Sequence, residues 1–486
     1  MQLVHVRNAR AVVVLVAIGA VLATGLATAA PRAVGDSSGE QEAPVAEDAI
    51  QPSYDNREMD GGLGPEEKLP FIDMSRPDGP AAQGYAAAHS ISPEAASDVI
   101  RWQSEVIKDL KKLAPQLGDR YAGSTFLHPD DSESGLAEVL VYVYEPSEQD
   151  EIAVESMSGV SQLVPSAVTN SEALALEELA ASVAREANPD SDVDVEVDFE
   201  SGDVAITVYD SLGGQLDLVC SPSSTKTGGK LDGGRGFLIK WGSDSCVKHA
   251  CTLGFSGYFN SKQGALTAAH CVDSYWTGSS QISYKSNQYI TSGDSDWWIE
   301  AQCHNSCNPG GGFEWAALRP YYADWGPDDD VAFVREKYAS TQPSDNIYVA
   351  DVGFYNVYGF ESGNIFPPTN TVLCQSASKF AVNPGESCGE VSDWIDYSCC
   401  NWVSTTQNWT EVDYYSGQFG GGGSSGGPWY RYFNSSNVIG MGTHSSSNTT
   451  QTRGYYERVD KAFDAIPGLK LYCDYGYGIV KCSPWE

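Results

Sequence analysis

The stretch GGGGSSGGPWY, from Gly420 to Tyr430, places six glycines and two adjacent serines before a proline. Such a composition is typical of a flexible linker, but the segments that follow, WYRYF and VIGMG, have the pattern of strands. Glycines inside a folded region permit a tight turn and the close approach of a substrate backbone, which a serine nucleophile requires. The stretch therefore predicts a turn around Ser425, whose N–H and that of Gly423 are placed to bind an oxyanion.

Two further motifs supply the partners that a serine nucleophile needs. In TAAHC, residues 267–271, His270 ends an apolar strand; a lone histidine in such a place is more often structural, so it needs partners before it indicates catalysis. In WGPDDDVAFVRE, Asp330 directly precedes a buried strand, where its carboxylate can accept a histidine N–H and fix the tautomer of the ring. Asp328 and Asp329 are expected in a solvated turn.

The order of the motifs decides between two kinds of hydrolase. GSSGG also fits the G-x-S-x-G nucleophile turn of α/β-hydrolases, in which the acid and the histidine follow the serine. Here His444 comes only 19 residues after Ser425, which leaves little room for that fold. The order His270, Asp330, Ser425 is that of the chymotrypsin arrangement.

Together, TAAHC, DDVAFV and GSSGGP resemble the chymotrypsin-fold serine endopeptidases, and CTLGF through AAHC resembles the streptogrisin-like enzymes that actinobacteria secrete. The ending YYERVDKAFDAI is similar to the last strand and C-terminal helix of that family. The resemblance implies an all-β catalytic domain of two six-stranded antiparallel β-barrels with a C-terminal helix, and an active site between the barrels. It covers residues 220–486 and, more weakly, the segment from Ser92 to Asp210, which is similar to the prosegments of such enzymes.

The resemblance also implies a role for each site residue. Ser425 would attack a peptide carbonyl, His270 would act as general base and then as general acid, and Asp330 would orient the histidine. Gly423 and Ser425 would form the oxyanion hole. No metal and no cofactor is expected, and the partners are protein or peptide substrates.

The resemblance places further residues around this triad. A disulfide between Cys251 and Cys271 would lie beside the base. The segment Thr443–Ser445 would pair with the substrate backbone and line the specificity pocket through Thr443, His444 and Ser445. The sequence G-T-H-S, residues 442–445, resembles the stretch in which glutamyl endopeptidases use a histidine to receive an acidic side chain, so His444 could bind a carboxylate as a cation or as a hydrogen-bond donor.

One position departs from the family pattern. Ser424 stands where most relatives carry an aspartate, as it does in glutamyl-endopeptidase-like branches. In many relatives that aspartate accepts the new N-terminal ammonium on activation. Without it, latency is expected to depend on the prosegment, which would occupy the cleft as an intramolecular inhibitor and also act as a folding aid.

Composition divides the chain into two modules. The formal net charge is −36, which disfavours nucleic acid and anionic membranes as partners because both are polyanions. Residues 1–220 contain 12 basic and 39 acidic residues, a net charge of −27, but only one of the twelve cysteines. Acid is thus concentrated in the first half and cysteine in the second.

The N-terminus predicts export. Arg7 and Arg10 precede an uncharged stretch that ends in small residues, which is typical of a signal peptide; an uncleaved membrane anchor is the alternative. We expect a signal peptide at 1–29, a disordered acidic linker at 30–85, an α+β prosegment at 86–219 and the protease domain at 220–486. The mature protein is expected to be secreted, extracellular, off the membrane and monomeric.

The predicted prosegment has a regular pattern but no catalytic motif. Ser92 and Pro93 begin a helix whose apolar residues recur at helical spacing, and a second helix is predicted from Ser171 to Ala187. AEVLVYVYE predicts a strand, and DSDVDVEVDFESGDVAITVYD predicts a hairpin with one acidic face. Between Ser92 and Asp210, His128 is the one histidine, and we predict no active site in this segment.

The remaining cysteines allow more than one interpretation. The pairs Cys303/Cys307 and Cys399/Cys400 could bind a metal, but export favours disulfides that fix loops. Cys473 and Cys482 are placed to close a C-terminal loop. Because the chain has twelve cysteines, an even number, we predict either processing before Cys220 or one unpaired thiol.

A catalytically silent protein of the same fold, which binds or adheres without cleaving, is the alternative to an endopeptidase.

Overall fold

The computed structural model describes residues 70–132, 134–187, 191–210, 219–220, 232–240, 246–260, 262–273, 276–277, 280–281, 288–289, 297–302, 313–325, 330–336, 344–349, 352–361, 366–378, 381, 385–396, 409–416, 420, 423–448, 450–474 and 480–482. The predicted signal peptide, most of the predicted linker, the cysteine pairs at 303/307 and 399/400, and Asp328 and Asp329 lie outside these ranges. Within them, no helix has the length and apolar character needed to cross a membrane.

Residues 70–210, which we call the N-terminal unit, combine helices with a small sheet and a hairpin. The helices are α1 Pro80–Ala88, α2 Pro93–Leu117, α3 Glu148–Glu155 and α4 Asn170–Ala187. The sheet contains β1 Tyr121–Leu127, β2 Glu138–Tyr144 and β3 Val160–Ser166, with β2 antiparallel to β1 and parallel to β3. The hairpin is β4 Ser191–Val197 and β5 Val204–Asp210. The unit is α+β, as predicted, and its role as a prosegment remains a prediction.

The predicted start of α2 is confirmed, with its physical cause. The Ser92 side chain accepts a hydrogen bond from the Ala95 N–H at 3.1 Å, and Pro93 stands at the first helical position. Val106 and Leu110, which the helical spacing singled out, are 0% and 1% exposed. Capping and an apolar stripe thus fix both the start of α2 and the face that it buries.

The prediction of a mobile linker up to residue 85 is wrong for its last part. Helix α1 begins at Pro80, and Ala81, Ala82 and Tyr85 are fully buried. These residues belong to a core that α1 shares with strands of the C-terminal half, including Val372. A short alanine-rich helix has no strong apolar stripe, so its burial against another part of the chain cannot be read from its sequence.

The first large sheet carries the strands that lead to the candidate base and acid. It contains β6 Val219–Cys220, β7 Gly236–Lys240, β8 Cys246–Thr252, β9 Ser256–Phe259, β10 Lys262–Thr267, β13 Gln288–Tyr289, β14 Trp297–Gln302, β15 Phe313–Trp325 and β16 Asp330–Glu336; a separate short pair is β11 Trp276–Thr277 with β12 Ser280–Gln281. Helix α5, Ala269–Asp273, follows β10. The order in the described part is β9-β10-β16-β15-β14-β7-β8-β6. This path does not return to its start, so closure of the first six-stranded barrel remains a prediction.

The second sheet closes into a barrel. Its strands are β17 Asn346–Val349, β18 Gly353–Phe360, β19 Val372–Ala377, β20 Gly385–Asp396, β21 Trp409–Tyr414, β22 Pro428–Asn434, β23 Asn437–Ser447 and β24 Arg453–Arg458. The order β23-β22-β19-β20-β21-β24 is completed by pairing of β24 with β23, and every pair in this ring is antiparallel. The predicted all-β fold is thus confirmed for one closed six-stranded barrel, which we call the barrel; β18 pairs with β23 in parallel outside the ring.

The predicted C-terminal helix is confirmed, but the chain continues beyond it. Helix α6, Val459–Ala465, follows β24 directly. After it, β25 Lys470–Cys473 and β26 Val480–Cys482 return to the first sheet, where β25 pairs with β9. A disulfide between Cys473 and Cys482, a pairing that the sequence had left open, joins these two strands, and Cys374–Cys388 joins β19 to β20. The last strands therefore tie the barrel to the sheet that carries the candidate base.

Candidate active site

Adjacent strands bring His270 and Asp330 together. His270 lies in α5, three residues after the last pair of β10 and β16, Thr267 with Ala332, and Asp330 is the first residue of β16. The His270 Nδ1 atom lies 2.8 Å from Asp330 Oδ2, and the His270 backbone N–H donates to Asp330 Oδ1 at 2.9 Å. Each carboxylate oxygen thus holds one nitrogen of the same histidine, which fixes both its backbone and its ring.

The surroundings of Asp330 keep it ionised. Its side chain is 1% exposed, and the Ser445 hydroxyl donates to Oδ2. Burial alone would raise the pKa of Asp330, but the charge of His270 and the hydrogen bonds from His270 and Ser445 outweigh it, so the pKa is lowered. An ionised Asp330 accepts the proton at Nδ1, so a neutral His270 ring carries its lone pair on Nε2, where a general base needs it.

Contacts with β8 and with Cys271 hold the backbone of Ser425. The Ser425 carbonyl accepts a hydrogen bond from the Thr252 N–H at 2.8 Å. The predicted Cys251–Cys271 disulfide is confirmed, and the sulfur of Cys271 lies 3.7 Å from the Ser425 carbonyl oxygen and 4.0 Å from His270 Nε2. Ser425 is half-buried, whereas its neighbour Ser424 is 1% exposed. The structure thus brings the backbone of Ser425 and the ring of His270 against one sulfur atom.

The glycines around Ser425 shape the predicted turn. Gly423 has φ +91° and Gly426 has φ +82°, a left-handed conformation that favours glycine. The Gly427 N–H closes the turn by donating to the Ser424 carbonyl at 2.9 Å. The Gly423 carbonyl accepts a hydrogen bond from the Thr252 hydroxyl at 2.7 Å. Thr252 is also the residue whose N–H donates to the Ser425 carbonyl. Gly423 and Ser425 remain the predicted oxyanion donors on a turn that β8 supports.

We expect Gly426→Ala to lower kcat/KM by at least about 10²-fold, because misplacement of a reacting group by about 1 Å has that effect. A Cβ at this position would lie 2.1 Å from Thr267 Oγ1 and 2.4 Å from the Thr252 carbonyl oxygen, so the turn that carries Ser425 must move. Gly468→Ala is the matched control, since Gly468 has φ +90° with no atom within 4 Å of a Cβ. Strain at Gly468 should lower stability by about 1–3 kcal/mol without lowering activity. Full activity of Gly426→Ala, in kinetics on a peptide substrate, would contradict the placement of Ser425.

The segment Thr443–Ser445 lies on β23, directly beside the nucleophile turn. The His444 N–H donates to the Gly427 carbonyl at 2.7 Å, and the Gly426 N–H donates to the His444 carbonyl at 2.6 Å. Thr443, His444 and Ser445 are each at most 2% exposed. The Ser445 hydroxyl donates a hydrogen bond to Asp330 Oδ2. Sequence analysis assigned this serine only to substrate binding and missed its contact with the acid.

The structure favours one of the two forms proposed for His444. Trp429 Nε1 donates to His444 Nδ1 at 3.2 Å, so the proton of a neutral ring is on Nε2, 3.3 Å from Ser447 Oγ. Burial, followed by the charge of His270, lowers the pKa of His444 to about 3. The predicted cationic form is therefore disfavoured at neutral pH, and His444 can act only as a neutral hydrogen-bond donor.

Among the described residues, two clusters of side chains are of the residue types that bind metals. Neither cluster includes His270, Asp330 or Ser425. Cys374, Glu386 and Cys388 form one group, but the two cysteines are joined in a disulfide. The second group is His89, His128 and Glu390. Neither group was predicted from the sequence, and the second joins Glu390 to a residue 301 positions away in the chain.

No protein-family model and no curated protein matches the sequence. Solved structures that are similar to it include Thermobifida fusca protease A, at 17% identity and a TM-score of 0.33, and Nocardiopsis protease, at 18% and 0.33; each match covers 50% of this chain and 98% of the other. A glutamic acid-specific serine protease that uses a histidine triad in substrate binding is 16% identical with a TM-score of 0.34, covering 50% of this chain and 100% of its own. These proteins belong to the class that the motifs predicted. Similarity at this level does not establish the activity of this chain.

Proposed function

We propose that this chain is the precursor of a secreted serine endopeptidase that hydrolyses peptide bonds through Ser425, His270 and Asp330. The observation that supports the proposal is the pair of contacts between His270 and Asp330, at 2.8 and 2.9 Å, together with the sulfur of Cys271, which lies 4.0 Å from His270 Nε2 and 3.7 Å from the carbonyl oxygen of Ser425. A buried carboxylate that holds both the backbone and the ring of one histidine has a clear purpose in general-base catalysis. Binding alone would not require these three residues together.

The reaction follows from the positions of the protons. His270 Nε2 takes the hydroxyl proton of Ser425 as Oγ bonds to the peptide carbonyl carbon, and the N–H groups of Gly423 and Ser425 stabilise the resulting oxyanion. His270 then gives that proton to the leaving amine as the C–N bond breaks. Water attacks the acyl-enzyme in the same way and releases the acid, which restores the Ser425 hydroxyl. Asp330 stabilises the imidazolium in both steps without taking its proton.

We assign Thr443, His444 and Ser445 to substrate binding, with the backbone of β23 extended beside the turn. A neutral His444 with its proton on Nε2 would recognise a hydrogen-bond acceptor on the substrate side chain. It would supply no positive charge to a carboxylate. Acidic specificity therefore remains one outcome of cleavage mapping and is not part of the proposal.

The N-terminal unit would act as an intramolecular inhibitor and folding aid, and would be removed near residue 219 after export. Strand β6, Val219–Cys220, pairs with β8 in the first sheet, which supports counting residue 220 with the protease domain. The Ser424 side chain offers no carboxylate to a new N-terminus, so activation would depend on removal of this unit. The mature enzyme would be extracellular and monomeric, without metal or cofactor.

The proposal predicts that a fluorophosphonate probe labels Ser425 after the N-terminal unit has been removed. Only a serine activated by a base reacts with such probes, so peptide mapping should find the adduct on Ser425 and none on the adjacent Ser424. The same matured protein should release peptides from an unfolded protein mixture. Heat-denatured protein is the control, because labelling that survives denaturation is not site-directed. Absence of both labelling and cleavage would favour a catalytically silent binding protein.

A further inference from the structure

Three buried carboxylates of the C-terminal half are each contacted by a basic residue of the N-terminal unit. Their side chains, on Glu361, Glu386 and Glu390, are at most 15% exposed. The partners from the N-terminal unit are Lys111 on Glu361, Arg76 on Glu386, and both His89 and His128 on Glu390. Lysine and arginine stay charged at physiological pH, whereas histidine changes charge between about pH 5 and 8. Of the three contacts, that of Glu390 is therefore the one whose basic partners change charge in this pH range.

We propose that His89, His128 and Glu390 form a pH-dependent lock that holds the N-terminal unit on the barrel more tightly at mildly acidic than at alkaline pH. This inference deepens the proposed function, because it concerns release of the unit that would keep the enzyme latent. The lock itself is a binding interaction, so it can be measured without any catalytic activity.

The geometry assigns one oxygen of Glu390 to each histidine. His89 Nε2 lies 2.9 Å from Oε1, and His128 Nε2 lies 3.1 Å from Oε2. The two rings are stacked, with centroids 3.7 Å apart and planes at 21°. Glu390 lies on β20 of the barrel, whereas His89 follows α1 and His128 follows β1. One carboxylate thus joins two separate elements of the N-terminal unit to the barrel.

The other nitrogen of each ring, Nδ1, also lies within hydrogen-bond distance of a side chain. His89 Nδ1 lies 3.0 Å from Asp130 Oδ1, and His128 Nδ1 lies 2.8 Å from the Tyr85 hydroxyl. His89 therefore has a carboxylate at each ring nitrogen, and a doubly protonated ring satisfies both acceptors. A neutral ring can donate to only one of them. The arrangement is complete only when His89 is a cation.

The charges that face this cluster from neighbouring elements are mostly acidic. Asp130 and Asp131 lie after β1, Asp413 on β21 pairs with Glu390 in the barrel, and the Tyr415 hydroxyl donates to Glu390 Oε1 at 2.9 Å. Burial, with the charges of Glu411 and Glu390, raises the pKa of Asp413 to about 6 against the effect of Arg453. Asp413 therefore titrates in the same pH range and has to be tested separately.

The sign of the pH effect follows from two pKa shifts. Burial alone would lower the pKa of His89, but Glu390 and Asp130 outweigh it, so the pKa is raised above 6.5. Docking is thus stabilised fully below pH 6.5, and this contribution is lost as pH rises through the raised value. Burial alone would raise the pKa of Glu390, but hydrogen bonds from His128 and His89 lower it from 4.5 to about 2, so its contribution is lost only as pH falls toward 2. The tightest docking is expected between about pH 4.5 and 6.5.

The same three residues are of the types that bind zinc, but their arrangement favours the lock. Ligands of one ion direct their lone pairs to a common point. The stacked rings of His89 and His128 instead direct their Nε2 atoms side by side, each to a different oxygen of Glu390. A metal would have to separate the rings. Metal binding is therefore an outcome that the test must be able to detect.

The test uses the full chain carrying Ser425→Ala, with a cleavage site for a sequence-specific protease inserted between Asp210 and Val219. After nicking, dissociation of the two parts is followed by size exclusion and dilution at about pH 5.5, 7.0 and 8.5. The dissociation constant is expected to rise about threefold or more from the lowest to the highest pH. Because Ser425→Ala removes the proposed nucleophile, failure of the endopeptidase proposal would not affect this result.

Variants distinguish the effect of the two histidines from that of other charged residues at the interface. His89→Gln with His128→Gln keeps donors to Glu390 that do not titrate, so the pH dependence should disappear. Lys111→Met should weaken docking equally at every pH, and Asp413→Asn should leave the pH dependence in place. Melting temperatures before nicking show that each variant is folded. The lock would be overturned if the affinity of the parent protein did not change with pH, or if EDTA weakened docking. It would also be overturned if the pH dependence survived in the double variant or was lost in Asp413→Asn.

Discussion

Ser425→Ala is expected to lower kcat for peptide hydrolysis by about 10⁶-fold, with little change in stability. The substitution removes the atom that forms the acyl-enzyme in the proposed mechanism, and residues that act as a unit lose most of their effect when one is removed. Residual hydrolysis would come from the oxyanion donors and from substrate binding. The measurement is single-turnover and steady-state kinetics of the matured protein on a peptide that the wild type cleaves.

The adjacent serine supplies the matched control for this experiment. Ser424→Ala removes the same hydroxyl one residue earlier, from a side chain that is 1% exposed and precedes the nucleophile in the same turn. Its effect on kcat should stay below about tenfold, since its oxygen forms no bond to the substrate. Equal losses in the two variants would show that the turn and not the Ser425 hydroxyl matters. Full activity of Ser425→Ala would rule out the mechanism.

The site could be predicted from sequence as far as local motifs define it. His270 and Asp330 are each placed by the end of a strand, and a strand end can be recognised from the apolar residues beside it. The pairing of β10 with β16, which brings the two residues together, could not be derived from either motif alone. The hydrogen bond from the Ser445 hydroxyl to Asp330 could not be predicted, because the direction of a buried hydroxyl depends on the register of β23 with its neighbours.

The fold was predictable to a similar depth. Helix α2 has a capping serine, a proline at its first position and an apolar stripe, so its start could be read directly. Helix α1 has none of these apart from Pro80, and its stability comes from a core that it shares with the second sheet. The contact of His89 with Glu390 joins residues 301 positions apart. Such a contact depends on the docking of two modules, which composition and periodicity do not describe.

The neutral form of His444 illustrates the same limit at the level of charge. Its residue type permits a cation, and the G-T-H-S pattern is compatible with both a cation and a neutral hydrogen-bond donor. Burial and the hydrogen bond from Trp429 decide against it, because desolvation disfavours the charged imidazole and Trp429 takes up the Nδ1 lone pair. Both depend on packing within the barrel. The chemical state of a predicted site residue therefore required the structure.

Asp330→Asn is expected to lower kcat by about 10⁴-fold while the protein stays folded. The asparagine keeps the shape of the side chain, but its NH₂ group can face His270 Nδ1 only if that nitrogen is an acceptor. The proton of the ring then moves to Nε2, where a general base needs its lone pair. The loss of the negative charge also removes the stabilisation of the imidazolium. The variant should bind substrate with nearly unchanged KM, because the change acts on the transition state.

Asp329→Asn tests whether position or charge is responsible, since it removes the same charge one residue earlier in the chain. If Asp330 acts through its contacts with His270 at 2.8 and 2.9 Å, the Asp329 variant should keep nearly full activity. Comparable losses in both variants would instead indicate a general electrostatic effect of the three consecutive aspartates. Near wild-type kcat in Asp330→Asn would show that His270 does not depend on this carboxylate. Fluorophosphonate labelling of Ser425 should slow in parallel with kcat in the Asp330 variant, because both reactions require the same lone pair on Nε2.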